Sequence, residues 1–591
     1  MGMLVAGLGH VGPSQWVDLV QETACFDGSD FRDWHDADTG VRLGIAGPGG
    51  TLRAVPSPSP ALVAIGAGFL DGAEEVAAGA LAAYRWAGPA GLAGLRGQYS
   101  FALWDGATRS LLVGSDAVGL QAPAYMWDGR RFFLSSRAMA LVRAGTAPPA
   151  WDPVYLAHAF GGLWSRTASA TAFRAIRRAA GGEILEVSPR GLRRLSGNRL
   201  SFEDARALGT EGAVNELGDR LDRVVASTSR ERRTCVALSG GIDSCVVASA
   251  LAKTNPRLDA FSLVAPGESR VENEAVANVV RAFPGMRHHR VEVSGAVEEW
   301  CDSPPLFDEP ICAGPVLQPG RMALLREIRA AGFERVLDGE GGDELFDMVW
   351  WPRDLVRDLA WAPILGALRS RGPRSRMTGD IAASGALGYA SARWERRRRE
   401  GLRARRPWLR ETFWASPSLA EAWEETRAYQ KLPTVAERLT EVLGAHGQYH
   451  RAQSLARLCV GVEGSSPLVD RTVIELVGSL RADVVMDSRH GKALLRRLAA
   501  RRVPAAVAWR PKAEPLSDWL IKRYLSAEPN VRRAADLIDQ SAMLRELVDV
   551  GAAMAAVDRA LAEQHRVLST ALVELFLLVE WFAAVEKRYG L

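Results

Sequence analysis

The chain reads as a two-domain α/β protein, and three observations predict this. At 591 residues it exceeds what one hydrophobic core supports, so two or more domains are expected. The apolar run Cys235-Val236-Ala237-Leu238, the double-glycine turn after it and the segment from Ile242 to Ala252 read as strand, tight turn and helix. The N-terminal half instead alternates apolar residues, as at 97–105 and 132–137, which suits β-strands packed in a sandwich.

The turn carries the chemistry. Glycine lets a backbone turn sharply and approach a ligand closely. A helix N-terminus offers unpaired N–H groups and a partial positive charge. Together they form a pocket for phosphate. Asp243 would repel a bare anion, but it fits a site in which Mg²⁺ bridges carboxylates and phosphates. Ser239-Gly240-Gly241-Ile242-Asp243-Ser244 therefore predicts a nucleotide site with its metal. No G-x-x-x-x-G-K-S/T loop occurs in the chain. The segment resembles SGG-x-DS, the pyrophosphate loop of ATP pyrophosphatases, which cleave ATP between the α and β phosphates.

A second element is Leu337-Asp338-Gly339-Glu340-Gly341-Gly342-Asp343-Glu344, after an amphipathic stretch from Met322 to Ala331 and a short apolar piece from Phe333. Two carboxylates, Asp243 and Asp343, are predicted to meet at neighbouring strand ends of one parallel sheet, where open α/β sheets bind ligands. The block resembles the SGEGxDE-F segment of asparagine synthetase-type enzymes. That resemblance implies that Asp343 joins Asp243 in holding Mg²⁺, with Gly339 and Gly341 lining the nucleotide.

Val507-Ala508-Trp509-Arg510-Pro511-Lys512, downstream of Pro467-Leu468-Val469-Asp470, is similar to the VAWRxK and PFLD segments of the same family. It implies that Lys512 stabilises the charge that develops as an acyl-adenylate forms and breaks down. Phe261-Ser262-Leu263-Val264 resembles the next strand, where the backbone of Leu263, with Leu238, would frame adenine. Asp308-Glu309-Pro310 resembles the D-E-P before the acidic block, and Glu272 and Glu274 stand where the family starts a helix with acidic residues. The order loop, acidic block, lysine covers residues 230 to about 520.

In the N-terminal half, Gly97-Gln98-Tyr99-Ser100-Phe101-Ala102-Leu103-Trp104-Asp105, Ser115-Asp116-Ala117-Val118-Gly119 and Phe132-Phe133-Leu134-Ser135-Ser136-Arg137 resemble class II glutamine amidotransferase domains. Phe173 to Arg178 with Gly181-Gly182 resembles the segment that closes such a domain. The departures matter more. Active members expose an N-terminal cysteine after the initiator methionine, whereas position 2 here is Gly2 and the first cysteine is Cys25. Where the family has NGEIYN, the chain reads Ala64-Ile65-Gly66-Ala67-Gly68-Phe69. Hydrolysis of glutamine in this family needs the thiolate, so no ammonia release is expected, and the domain is expected to serve as scaffold or channel. Gly7-Leu8-Gly9-His10-Val11-Gly12 matches G-x-G-x-x-G. A dinucleotide fold would add a second parallel strand and an acidic residue such as Asp27 or Asp30, and no clear second strand follows.

The net charge of +4 and the 48% hydrophobic content are ordinary for a soluble globular protein. Six cysteines without C-x-x-C spacing argue against a zinc site or disulfide framework and fit a cytoplasmic setting. No signal peptide is read. Ala571 to Val585 is apolar but carries Glu574 and Glu580, so it reads as a terminal core helix rather than a membrane span. Between 352 and 450 the chain is rich in Arg and Trp. The run from Arg393 to Arg406 reads first as a solvated helix face, with nucleic-acid contact or a path for a peptide as the other readings.

The expected architecture is an αββα sandwich at 1–205, related to N-terminal nucleophile hydrolases, and a doubly wound parallel α/β adenylating domain at 206–591 with a helical C-terminal part. The resemblance implies an ATP- and Mg²⁺-dependent amide-forming ligase that releases AMP and pyrophosphate. Glu340 stands at the family's catalytic glutamate and would accept a proton from the attacking amine. Two branches of the family use an intramolecular amine: β-lactam synthetases and lasso peptide cyclases. The length, Glu340 and the Arg/Trp insert favour the cyclase. That implies a leader-free precursor core peptide as substrate, with a leader peptidase and a leader-binding protein as possible partners, and neither nucleic acid nor membrane. The alternatives are a β-lactam-type or ammonia-using ligase, or a non-catalytic nucleotide-binding paralogue.

Overall fold

A computed structural model describes residues 3–9, 12–24, 31–47, 50–55, 61–163, 169–197, 199–202, 205–230, 232–264, 270–293, 318–348, 352–359, 361, 365, 392–430, 432, 434–487, 490–510 and 516–589. Gly2, Cys25, Asp27, Asp30, Asp308-Glu309-Pro310 and Lys512 lie outside these residues.

The N-terminal domain contains twelve strands: β1 (Met3–Leu8), β2 (Phe31–Asp36), β3 (Val41–Ala46), β4 (Thr51–Val55), β5 (Leu62–Leu70), β6 (Gly97–Asp105), β7 (Ser110–Ser115), β8 (Ala124–Trp127), β9 (Phe132–Ser135), β10 (Ile176–Arg178), β11 (Glu183–Ser188) and β12 (Gly191–Ser196). They form two six-stranded sheets, ordered β10-β8-β9-β1-β3-β2 and β12-β11-β7-β6-β5-β4. Period-2 alternation sends Leu4, Ala6, Leu43 and Ile45 from one sheet, and Val63, Ile65, Ala102 and Trp104 from the other, into one core between them. Residues of opposite parity face outward. Ala64, Tyr99 and Phe101 pack beneath the helix Val76–Ala87, while Val5 and Phe133 pack beneath the helices Pro13–Thr23 and Ala138–Arg143. The four layers are the expected αββα sandwich. β1 runs antiparallel to both β3 and β9, so Gly7 to Gly12 does not open a parallel βαβ unit.

The last sandwich strand ends at Ser196, and the helix Thr210–Ser229 opens the second domain. Its sheet contains β13 (Thr234–Ala237), β14 (Asp259–Val264), β15 (Arg287–Glu292), β16 (Arg335–Leu337) and β17 (Glu463–Ser465). The order is β15-β14-β13-β16-β17, with every neighbouring pair parallel. One face is covered by the helices Thr210–Ser229, Ile242–Thr254 and Ala493–Ala500, through Leu217, Val246 and Leu494. The other face is covered by Gln318–Ala330 and Val435–Val460, through Leu325, Ile328 and Ala456. The sheet is doubly wound, and its strand order reverses between β13 and β16. In open α/β sheets the ligand crevice lies at that reversal.

The two domains share a core. Trp16, Met139, Tyr155 and Phe160 of the sandwich's outer helices are buried in one cluster with Trp408, from a turn of the second domain, and Tyr524, Phe576 and Phe582 from the C-terminal helices. Trp151 lies 4.2 Å from Phe582 and 5.6 Å from Trp581, ring centre to ring centre. Among the described residues one helix, Arg566–Tyr589, is long and apolar enough to cross a membrane, but 72% of its most apolar window is buried inside the protein. It is a core helix, apolar all round because neighbours cover it all round. The arginine-rich helix Ala392–Arg405 also leans inward: Arg398 and Arg399 lie over Trp423 and Arg403 over Trp414. Three of these guanidiniums therefore lie on aromatic faces, while Arg399 and Arg403 stay exposed as on a solvated helix face.

Glu574 on that core helix faces Arg406 at 3.5 Å. Burial pushes its carboxyl up to about 7, despite the opposing pull of Arg406. The folded state thus holds the proton more tightly than the unfolded chain, whose glutamate titrates near 4.5. This group's contribution to stability is greatest below about pH 4.5 and is lost as pH rises through about 7. Glu574→Gln is expected to flatten that part of the stability profile and to gain up to about 3 kcal/mol at pH 8. Urea unfolding at pH 5 and pH 8 measures it; equal losses in both proteins would discard the assignment.

Candidate active site

The strand β13 ends in the turn that starts the helix Ile242–Thr254. Gly240 adopts φ +68°, and a Cβ there would press on the backbone of Val276 at 2.9 Å, so glycine is required for both conformation and space. The hydroxyl of Ser244 reaches back to close the turn: it accepts from the Ser239 N–H at 3.2 Å and donates to the Gly241 carbonyl at 3.2 Å. Leu238 donates its N–H to the Phe261 carbonyl at 2.8 Å, and the Ser262 hydroxyl donates to the Leu238 carbonyl at 2.6 Å. Leu238 and Leu263 therefore flank the ends of adjacent parallel strands, where the adenine frame is expected.

The strand β16 ends beside β13 and delivers the acidic block. Gly341 has φ +92°. Gly339 and Gly342 have a different role, because the block crosses directly over the first turn. A Cβ on Gly339 would run into the backbone nitrogen of Ser244, and one on Gly342 into the carboxyl of Asp243. The block continues into one wide π-type turn, Glu344–Met348, a distortion common at functional sites.

Asp243 and Asp343, one hundred residues apart, converge on the ammonium of Lys492. Lys492 Nζ is ion-paired with Asp243 Oδ2 and lies 2.8 Å from Asp343 Oδ1. Burial raises the Asp243 carboxyl, partly offset by Lys492. For Lys492, burial pulls the other way, and the two carboxylates outweigh it to leave the ammonium firmly protonated. Lys492 is held in the left-handed region at φ +58°, which costs a non-glycine residue about 1 kcal/mol or more. Asp347 offsets this by accepting its backbone N–H at 2.8 Å.

Lys492 was not among the sequence-predicted site residues. A signal for it exists: only six of the 73 basic residues are lysine. Where arginine is the default, a lysine marks a place that needs a compact point charge. The predicted Lys512 falls outside the described residues, but the segment leading to it is tied to Lys492. Arg496 donates to the carbonyls of Gly491, Ala508 and Arg510 at 2.9, 2.7 and 3.0 Å.

The donor set fits a magnesium ion bound together with a nucleotide. Asp243 Oδ1 is buried without a hydrogen-bond partner, and Asp343 stands across from it. Among the described residues no three or more His, Cys, Asp or Glu side chains gather as a metal cage. Mg²⁺ characteristically takes one or two carboxylates and completes its shell with phosphate oxygens and water.

Glu340 points to the other side of the block. Its Oε1 accepts from Arg321 at 3.1 Å and from Gln453 at 3.5 Å. Burial raises its carboxyl, Arg321 opposes that, and Glu344, Asp243 and Asp343 add to it. The sandwich domain reaches this region as well. Gln98 donates to the Ser466 carbonyl at 3.1 Å, and Met3 packs on Leu455 and Leu458 of the helix Val435–Val460. In the segment 64–69 of β5, Ala64, Ile65 and Ala67 are buried apolar residues.

A doubly wound sheet with a glycine turn and paired carboxylates at its reversal point, joined to an amidotransferase-type sandwich, is the architecture of an ATP-dependent amide-forming ligase. Residues 216–583 match the family described as asparagine synthase, and residues 75–196 match the glutamine amidotransferase domain. The chain belongs to the asparagine synthase family. It is 27% identical over 507 residues to a Mycobacterium tuberculosis protein whose name provisionally assigns it as a glutamine-hydrolysing asparagine synthetase; the match spans 79% of this chain and 75% of that one. Asparagine synthetase B of Escherichia coli is 27% identical over 45% of this chain and 46% of its own length. Amidase chry2 of Gibberella zeae is 25% identical over 45% and 42%.

Two substitutions test the geometry. Gly342→Ala is expected to lower ATP·Mg²⁺ affinity at least tenfold by displacing Asp243, with the circular dichroism spectrum kept; calorimetry measures the affinity, and unchanged binding would discard the crossing. Lys492→Met leaves two carboxylates facing each other, so it is expected to destabilise the protein by about 3 kcal/mol. Added Mg²⁺ should recover part of that loss in thermal unfolding. A variant as stable as the parent and indifferent to Mg²⁺ would refute the role of Lys492 as counter-charge.

Proposed function

We propose that the enzyme closes a macrolactam in a ribosomally made peptide. It adenylates an Asp or Glu side-chain carboxylate, and the peptide's own N-terminal amine displaces AMP. The observation that carries this reading is the state of the sandwich domain. The segment 64–69 of β5, expected to be the glutamine-binding strand, is apolar, with Ala64, Ile65 and Ala67 buried. The amine therefore has another source, and an amine on the substrate itself is the most economical one, because tethering replaces a bimolecular encounter.

In this reading the carboxylate oxygen attacks the α-phosphorus of ATP, and the bond to pyrophosphate breaks. The backbone from Ser239 to Ser244 cradles the departing pyrophosphate. Asp243 and Asp343 are the residues that would hold Mg²⁺, which when bound neutralises phosphate charge. Lys492 and Lys512 offset the negative charge that develops. The amine nitrogen then attacks the acyl carbon, and the bond to AMP breaks. A peptide α-amine has a free pKa of about 7.7–8.0, so it needs a nearby acceptor to lose its proton, and Glu340 takes that role. The peptide enters between the domains. A leader peptidase and a leader-binding protein are the partners such a substrate would need. A β-lactam-type or ammonia-using ligase employs the same site residues with a smaller acid, and a non-catalytic nucleotide-binding paralogue would retain the fold without turnover.

The test is mass spectrometry of an ATP·Mg²⁺ reaction with the linear, leader-free peptide encoded beside this gene, with Asp343→Ala in parallel. Loss of one water from the peptide, with AMP formed and the variant silent, is the expected result. AMP and pyrophosphate without a change in the peptide would point to a smaller acid or another amine. No ATP consumption with any candidate acid would favour the non-catalytic paralogue.

A further inference from the structure

The acidic block has two faces. Asp343 turns toward Asp243 and Lys492, whereas Asp338 and Glu340 turn toward the two helices that cover the opposite face of the sheet. Gln318–Ala330 supplies Arg321, and Val435–Val460 supplies Gln453 and Arg457, one helical turn apart and therefore on one face. Arg457 is ion-paired with Asp338 Oδ2, and Asp338 Oδ1 in turn accepts the Glu340 N–H at 3.2 Å. Arg321 and Gln453 both donate to Glu340 Oε1. Gln453 is only 7% exposed, and the Arg321 and Glu340 side chains are 16% and 24% exposed. The arrangement is thus a partly dry clamp on one carboxylate oxygen.

The charges around Glu340 make this clamp consequential. Burial, Glu344, Asp243 and Asp343 all favour the protonated acid, and Arg321 opposes them. Among the described residues, Arg457 is ion-paired with Asp338 and Lys492 with the two aspartates. A protonated glutamic acid cannot accept a proton from an ammonium group. We propose that Arg321 and Gln453 are positioning residues for Glu340: they aim its carboxylate, and Arg321 supplies the positive charge that faces it. This rests on the proton-accepting role given to Glu340 above. It adds two residues, on two helices outside the nucleotide loops, that determine whether the acceptor is ready when the amine arrives. Arginine suits the task because its planar fork stays charged and fixes the carboxylate plane.

The test needs neither acid nor amine, so a failure to find amide product does not touch it. Infrared difference spectra of the full-length protein against Glu340→Gln isolate the Glu340 carboxyl band, which is followed through a pH titration without nucleotide. In Arg321→Met the midpoint is expected to rise by about one unit or more, the usual effect of removing an adjacent opposite charge. Arg321→Lys is expected to restore most of the shift. Gln453→Leu, which preserves volume and charge balance, is expected to raise the midpoint by a smaller amount and covers the case in which Arg321→Met does not fold. Thermal unfolding and ATP·Mg²⁺ binding should stay near parental values. A midpoint that stays at the parental value in the folded variants would overturn the proposal, as would an equal rise in Arg321→Met and Arg321→Lys, since the charge would then be irrelevant.

Discussion

The convergence of Asp243 and Asp343 on one ammonium is the constraint around which the second domain is arranged. Two carboxylates at neighbouring strand ends repel each other, and burial aggravates the repulsion. Lys492 resolves it, at the cost of a strained backbone that Asp347 must hold. Gly339 and Gly342 are needed because the acidic block has to cross the first turn at backbone distance for the aspartates to meet. Strand order, glycine placement and the left-handed lysine all follow from that single meeting.

The same logic separates the roles of the acidic block. Its residues alternate between a side that faces Asp243 and Lys492, with Asp343, and a helix-facing side, with Asp338 and Glu340. Each side has its own cations: Lys492 on the first, Arg457 and Arg321 on the second. Opposite charges are therefore partitioned rather than pooled, so one carboxylate pair is available to a metal while a neighbouring glutamate keeps a separate environment.

The sandwich domain has a structural role of its own. Its outer helices contribute Trp16, Tyr155 and Phe160 to the cluster that buries the C-terminal helices. Removing it would expose the apolar faces of Trp581 and Phe582, which Trp151 covers, and the burial of aromatic surface dominates core energetics. The domain serves as the floor of the ligase even if no glutamine ever binds to it. The arginine-rich helix belongs to the same structural economy, with its guanidiniums lying on Trp414 and Trp423.

The sequence by itself determined the two domains, the parallel sheet, the glycine turn, the acidic block and the meeting of Asp243 and Asp343. These are legible because they are local: a strand, a glycine turn and a helix N-terminus occupy consecutive residues, and period-2 alternation marks the sandwich strands. The burial of the helix Arg566–Tyr589 was also legible, since glutamates interrupt its apolar run. Only the tertiary structure revealed Lys492, because nothing local ties a lysine in a helix N-cap to carboxylates 249 and 149 residues away. It also decided the clamp of Arg321, Gln453 and Arg457 on the acidic block and the core shared between the domains. Each depends on which helix faces cross over which strand ends, and long-range packing sets that, not the pattern of neighbours along the chain.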